Sequence, residues 1–307
     1  MPTRRKPPSG FLRLAPAEEG PPQSEGQRLR ERLRLYGVRP RKRWGQNFLV
    51  REHVAERIVD AAGVGQDQVV VEIGPGAGAL TGLLAARAGK VLAIERDRGL
   101  AALLRDELGE WAKVRILEAD VLETDFRALA VEADARKLFV VGNLPYSITT
   151  PILSHLIDHR AVVEQVVFLV QREYAARLAA AADTPAYGSL TVYARYYLTL
   201  EPLFVVPPSA FWPKPEVEST LVRARFRTRP PVDVPDEDRL FELVRASFGQ
   251  RRKSLGNSLA TAFEGDRARA QRVLRIAGIA AGRRGETLEL EEFAKLARAE
   301  AKLAGGG

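Results

Sequence analysis

The chain has no cysteine, which excludes disulfides, thiolate-ligated metal and a cysteine nucleophile together. Its histidines are three, His53, His155 and His159. The last two stand one helical turn apart, but no H-E-x-x-H surrounds them and no third ligand is apparent, so no metal is expected. No apolar run approaches the roughly 18 residues that a membrane span requires. The opening MPTRRKPPSG carries charge without an apolar stretch behind it, so a cytoplasmic chain with no membrane partner is expected. An acidic excess is also missing: 47 Lys and Arg stand against 39 Asp and Glu, a net charge of +8, which favours a polyanionic partner.

At 307 residues and 46% hydrophobic, the chain is long enough for one large domain with a substantial core and a smaller one. It is organised around Val69 to Arg96, VVVEIGPGAGALTGLLAARAGKVLAIER. Three valines and Glu72 run into a glycine-rich turn, Gly74-Pro75-Gly76-Ala77-Gly78. Leu80, Leu83 and Leu84 follow at helical spacing. Glycine suits such a turn because it accepts positive φ and lets a ligand approach the backbone. A second apolar run ends at Glu95, about twenty residues on, where a βαβ unit sets an acid against a ribose. The spelling is E-x-G-x-G-x-G rather than G-x-G-x-x-G, so a nicotinamide cofactor fits less well. Pro75 also removes an amide that a pyrophosphate would use. S-adenosylmethionine, a nucleoside without phosphate, fits better, and a turn that simply packs a helix on a sheet is the alternative.

Taken in order, residues 1–27 mix Pro, Gly, Ser and charge without periodicity, as in a flexible basic arm. A basic cluster, Arg41, Lys42 and Arg43, then precedes Gln46 and Asn47, two amides placed either to cap a helix or to reach a ligand. A strand over Val114 to Leu117 runs out at Asp120, which stands where an open α/β sheet binds ligands and would accept from an adenine amino group, with Val121 packing on the ring. A helix cap is the other reading of Asp120. A fourth strand, Leu138 to Val141, leads straight into Gly142-Asn143-Leu144-Pro145-Tyr146. A carboxamide acceptor, a carbonyl fixed by the next proline and an aromatic ring at a strand end suit a reaction on the exocyclic amine of a flipped base. A proline-stiffened loop, Pro207 to Pro215, presents Phe211 either as a second stacking face or as a plug beneath the loop. The prolines of Thr228 to Asp236 mark a domain boundary, and only helical periodicity follows. Arg251, Arg252 and Lys253 then group charge for phosphate contact.

The blocks KRWGQNFL, VVEIGPGAGALT, EAD, VVGNLPYSIT, PPSAFWPKPEVEST and SFGQRRKSLGNSL stand in one order between about Arg39 and Leu259. With them the sequence resembles the ribosomal RNA adenine N6,N6-dimethyltransferases. The resemblance implies a Rossmann-like α/β methyltransferase sheet over residues 28–229 and a small all-helical RNA-binding domain over 234–304, in a monomer. It implies S-adenosyl-L-methionine as cofactor, surrounded by Asn47, the backbone of Leu49, Gly74, Glu95, Asp120 and Asn143. It also implies a partner, small-subunit (16S) rRNA or a pre-30S particle, carrying two adjacent adenosines in a hairpin loop near the 3′ end, modified during ribosome biogenesis. Asn143, Leu144, Pro145, Tyr146 and Phe211 are then the expected catalytic set. Alternatives are a non-catalytic RNA-binding assembly or transcription factor and a large-subunit rRNA methyltransferase. Leu144 and the FGQRRKSL block favour the small-subunit type.

Overall fold

The computed structural model describes residues 25–41, 45–250 and 252–305. In chain order the elements are α1 (Glu25–Leu35), β1 (Phe48–Leu49), α2 (Glu52–Ala62), β2 (Val69–Ile73), α3 (Thr81–Arg87), β3 (Lys90–Glu95), α4 (Arg98–Leu108), β4 (Val114–Glu118), α5 (Phe126–Glu132), β5 (Leu138–Asn143), α6 (Thr149–Asp158), β6 (Val163–Gln171), α7 (Arg172–Ala179), α8 (Ser189–Tyr197), β7 (Leu198–Val206), β8 (Phe211–Trp212), β9 (Ser219–Phe226), α9 (Glu237–Phe248), α10 (Leu255–Ser258), α11 (Arg267–Ala277) and α12 (Leu290–Gly305).

Seven strands form one sheet in the order β4-β3-β2-β5-β6-β9-β7. The five on the β4 side are parallel. Their sequences are near-continuous β-branched runs because helices cover both faces of such a sheet: Val70, Val71, Val91, Leu92, Val140, Val166 and Val167 are all buried. Arg172 N–H, just past β6, donates to Glu218 O just before β9 at 2.9 Å. Arg227 N–H, just past β9, donates to Tyr197 O just before β7 at 2.8 Å. The chain therefore turns back, and β9 runs antiparallel to both neighbours. From β2 the order proceeds outward through β3 and β4, then restarts on the other side of β2 with β5. That reversal creates the crevice where open α/β sheets take ligands, outside the carboxyl ends of their strands. The architecture is the Rossmann-like α/β sheet expected, with a helical C-terminal region.

The contacts divide the chain into residues 1–172 with 201–224, and residues 173–200 with 225–307. The linear boundary expected between 229 and 234 therefore misses a segment: α8 and its flanks belong to the helical unit. The reason is packing, since Tyr187, Val192 and Tyr196 are buried in one cluster with Leu240, Phe241, Leu243 and Phe293. Within that unit Tyr187 Oη donates to Leu288 O at 2.6 Å, and Arg239 pairs with the buried Glu300. Of the arm expected over residues 1–27, residues 1–24 lie outside the described residues, and Glu25, Gly26 and Gln27 open α1. Glu25 pairs with Arg51 at 2.9 Å, and Leu29 and Leu33 of the same helix are buried.

Candidate active site

Parallel pairing sets four strand ends side by side. Ile73 is opposite both Ile94 and Gly142, and Glu95 is opposite Glu118. One residue past Ile73, Ile94 and Gly142 stand Gly74 after β2, Glu95 closing β3 and Asn143 closing β5, and two residues past Glu118 stands Asp120 after β4. These surround one open cleft.

The glycine turn owes its shape to backbone freedom. Gly74, Gly76 and Gly78 have φ of 65°, 59° and 83°, a left-handed region that side-chain-bearing residues rarely enter. A Cβ on Gly76 would lie 3.0 Å from the Phe48 ring, and one on Gly78 2.9 Å from Leu104. The turn thus seats between β1 and α4 without room for a methyl group at these positions.

Glu95 is 6% exposed. Its Oε2 accepts from Gly76 N–H at 3.1 Å and its Oε1 from Asp97 N–H at 2.8 Å. Burial outweighs these amides and pushes its carboxyl up to about 7. Glu72, which the sequence reading left without a role, also lines the cleft and is 1% exposed. Burial, with the Glu95 charge adding to it, raises Glu72 to about 8. Its Oε2 has no hydrogen-bond partner among the described residues. An acid inside E-x-G-x-G-x-G was the available signal.

Asp120 serves the capping role and faces the cleft as well. Its Oδ1 accepts from Leu122 N–H at 3.0 Å and its Oδ2 pairs with Arg96 at 3.1 Å, while the residue lines the cleft with Val121. Across the cleft, the Asn143 side-chain amide donates to the Asn47 carbonyl at 2.8 Å. Asn47 Nδ2 in turn donates to Gly45 O at 3.2 Å, holding that loop. Leu144 N–H donates to Leu169 O at 3.3 Å, and Pro145 O accepts from Ile148 N–H and the Thr149 hydroxyl at 3.1 Å each. Tyr146 Oη bonds Ser219 Oγ at 2.7 Å, and burial raises its phenol above the ordinary value.

Asn47, Leu49, Gly74, Glu95, Asp120, Val121 and Asn143 all line this one cleft, as do Leu144, Pro145 and Tyr146. Phe211 does not. It pairs with Leu49 in the β1–β8 ladder, is 4% exposed and belongs to the core cluster with Phe48. Alternation along β8 turns it inward, so the second stacking face expected of it is not presented to the cleft. Of the basic candidates, Arg41 stands 3.6 Å from Asp97 and Arg252 and Lys253 are exposed. Lys42, Arg43 and Arg251 lie outside the described residues. The histidine rings are engaged elsewhere: His155 Nε2 with Thr124 O and His159 Nδ1 with His155 O, each at 2.8 Å, and His159 Nε2 3.3 Å from Asp125. Among the described residues no group of three or more His, Cys, Asp or Glu is placed to hold a metal ion.

Three carboxylates border the cleft and its turn lacks the Pro75 amide. A polyphosphate would find no backbone donor at Pro75, whereas a nucleoside without phosphate, whose hydroxyl and amino groups donate, fits the carboxyl oxygens of Glu95 and Asp120, the unpartnered Glu72 oxygen and the cradle at Gly74.

The family model for ribosomal RNA adenine dimethylase matches residues 37–297. The chain belongs to that family. The ribosomal RNA small subunit methyltransferase A of Geobacillus kaustophilus is 44% identical over 283 residues, 91% of this chain and 97% of its own. The protein of that name from Bacillus mycoides is 43% identical over 277 residues, covering 89% and 95%. A dimethyladenosine transferase from Plasmodium falciparum shares the fold with a TM-score of 0.72 at 23% identity, over 84% of this chain and 98% of its own. The 23S rRNA methyltransferase ErmE superposes with a TM-score of 0.62 at 28% identity, over 83% and 100%.

Proposed function

We propose that this protein transfers methyl groups from S-adenosyl-L-methionine to N6 of two adjacent adenosines in a hairpin loop near the 3′ end of small-subunit rRNA, free or in an assembling subunit. The observation that carries this reading is the Asn143 amide, whose nitrogen is committed to the Asn47 carbonyl, leaving Oδ1 as an acceptor at the end of β5. The small-subunit assignment draws on relatives more than 40% identical along nearly their whole length.

S-adenosyl-L-methionine, when bound, supplies an electrophilic methyl group on a cationic sulfur. Glu95 accepts from the ribose hydroxyls through the lone pairs that Gly76 and Asp97 leave open. Asp120 accepts from the adenine amino group and Val121 packs on its ring. Gly74 lets the methionine part lie against backbone.

An adenine N6 is a poor nucleophile because its lone pair is delocalised into the ring. Asn143 Oδ1 and the Leu144 carbonyl accept its two hydrogens, draw the nitrogen towards tetrahedral geometry and aim the lone pair at the methyl group, so that positioning and electrostatics carry the reaction. Tyr146 stacks on the extruded base, a contact worth about 1–3 kcal/mol. As the new bond forms the nitrogen becomes cationic and its proton leaves to water, so no general base is required. For the second methyl one acceptor keeps the remaining hydrogen while the other tolerates the first methyl group.

The experiment is Asn143→Ala, with methyl transfer to RNA and binding of S-adenosylhomocysteine measured on one preparation. The proposal expects transfer to collapse while binding stays measurable. Full transfer by the variant contradicts it.

A further inference from the structure

Arg32, on α1, is far in sequence from the cleft and belongs to none of the motifs, yet it reaches the glycine turn. Its Nη2 donates to the Ala77 carbonyl at 3.1 Å and its Nε to Glu107 Oε1 at 3.0 Å, and it is ion-paired with Glu107 Oε2 as well. Its side chain is 13% exposed. Ala77 is the middle residue of Gly76-Ala77-Gly78, the segment whose Gly76 N–H donates to Glu95.

Behind this turn lies a second hollow, open to solvent and bordered by Arg32 and Glu107. Leu49, Ala77 and Ala79 face both hollows. The turn therefore borders a hollow on each side at Ala77 and Ala79. Phe48 and Leu104 pack against Gly76 and Gly78, and hydrogen bonds to side chains fix the peptide groups between them. Glu95 holds the turn from the cleft side through Gly76, and Arg32 holds it from the far side through Ala77.

We infer that Arg32 is a positioning residue for cofactor binding: held by Glu107, it anchors the Ala77 carbonyl and keeps the glycine turn in the shape that receives S-adenosyl-L-methionine. The inference rests on the reading of the cleft given above. A loosened turn must be ordered at the moment of binding, which lowers affinity. Asn143 and Leu144 stand on another strand and are untouched, so turnover at saturating cofactor is preserved. The guanidinium engages Ala77 and both Glu107 oxygens at once; a lysine ammonium carries the charge without that fork.

The test is calorimetric titration of S-adenosylhomocysteine into the wild-type chain and the Arg32→Met, Arg32→Lys and Glu107→Gln variants, with Arg34→Ala, an exposed position on the same helix, as control. Methyl-transfer kinetics are run in parallel. Arg32→Met should bind about tenfold or more weakly and raise the cofactor KM by the same factor, with kcat within twofold of wild type. Arg32→Lys and Glu107→Gln should fall between, and Arg34→Ala should match wild type. If Arg32→Met does not fold, Arg32→Lys and Glu107→Gln decide: a loss of affinity in both supports the inference, and wild-type affinity in both overturns it. A fall in kcat without a change in KM also overturns it. Wild-type binding with unaltered variants removes this inference alone, whereas a wild-type chain that binds no S-adenosylhomocysteine removes the reading of the cleft and this inference with it.

Discussion

Asn143 and Asn47 stand 96 residues apart and are joined by a hydrogen bond of 2.8 Å, from the side-chain amide of the first to the backbone carbonyl of the second. A carbonyl accepts only, so the bond sets which end of the Asn143 amide faces it, and the side-chain oxygen is left as an acceptor. The loop that carries Asn47 thereby orients the Asn143 amide at the end of β5, the group proposed to hold the target amine.

Asn143→Asp replaces the donor in that bond with a second acceptor. The two oxygens repel, the side chain turns away, and a partly buried acceptor loses its partner at a cost of about 1–3 kcal/mol. Transfer should fall on the order of 10²-fold or more, measured with labelled cofactor, with a matching loss of stability in urea titrations.

Gly76→Ala places a methyl group 3.0 Å from the Phe48 ring on a backbone with φ of 59°. The left-handed conformation alone costs about 1–2 kcal/mol. Denaturant midpoints should drop accordingly. Affinity for S-adenosylhomocysteine should drop further than stability does, because Gly76 N–H is also a partner of Glu95.

Burial holds Glu95 at about 7 and Glu72 at about 8, above the ordinary carboxyl value of 4.5. A carboxyl raised in the folded state contributes stability that is fully present below its unfolded value and is lost as pH rises through the folded one. Without ligand, the protein should therefore become less stable from about pH 4.5 to about pH 8, and Glu72→Gln should flatten the upper part of that slope. Ribose hydroxyls donating to Glu95 favour its ionised form. Affinity for S-adenosylhomocysteine should then rise with pH up to about 7 and level off above it, by at most about tenfold per pH unit. In Glu95→Gln calorimetry should find weaker binding without that rise.

Tyr146 bonds Ser219 through its hydroxyl, and its ring is the one proposed to stack on the base. Tyr146→Phe keeps the ring, so kcat/KM for RNA should change by less than about tenfold, in line with the loss of one hydrogen bond. Tyr146→Ala removes a stack worth about 1–3 kcal/mol, and kcat/KM should fall well beyond the phenylalanine variant while cofactor affinity stays near wild type.

What is legible in the sequence is what local chemistry dictates. Three glycines in five positions announce a turn with positive φ, and apolar runs that end at Glu95, near Asp120 and at Asn143 announce parallel strands that finish together. Pairing register does the rest, because neighbouring parallel strands must end on one edge. Contacts made across long stretches of chain are not legible in this way. Nothing near Asn143 points to Asn47, and nothing near Ala77 points to Arg32. Phe211 reads equally as a presented ring or a plug until its pairing with Leu49 fixes the face. The segment from Glu173 to Leu200 joins the helical unit because Tyr187 and Tyr196 bury themselves there, a choice made by partners more than 40 positions further on.

The most direct measurement incubates the purified protein with S-adenosyl-L-methionine and unmodified small-subunit rRNA or subunits, then identifies modified nucleosides and their positions by mass spectrometry of the digested RNA. The account predicts N6,N6-dimethyladenosine at two adjacent positions near the 3′ end. RNA recovered without methyl groups, or methylated at a site other than an adenine N6, would contradict it.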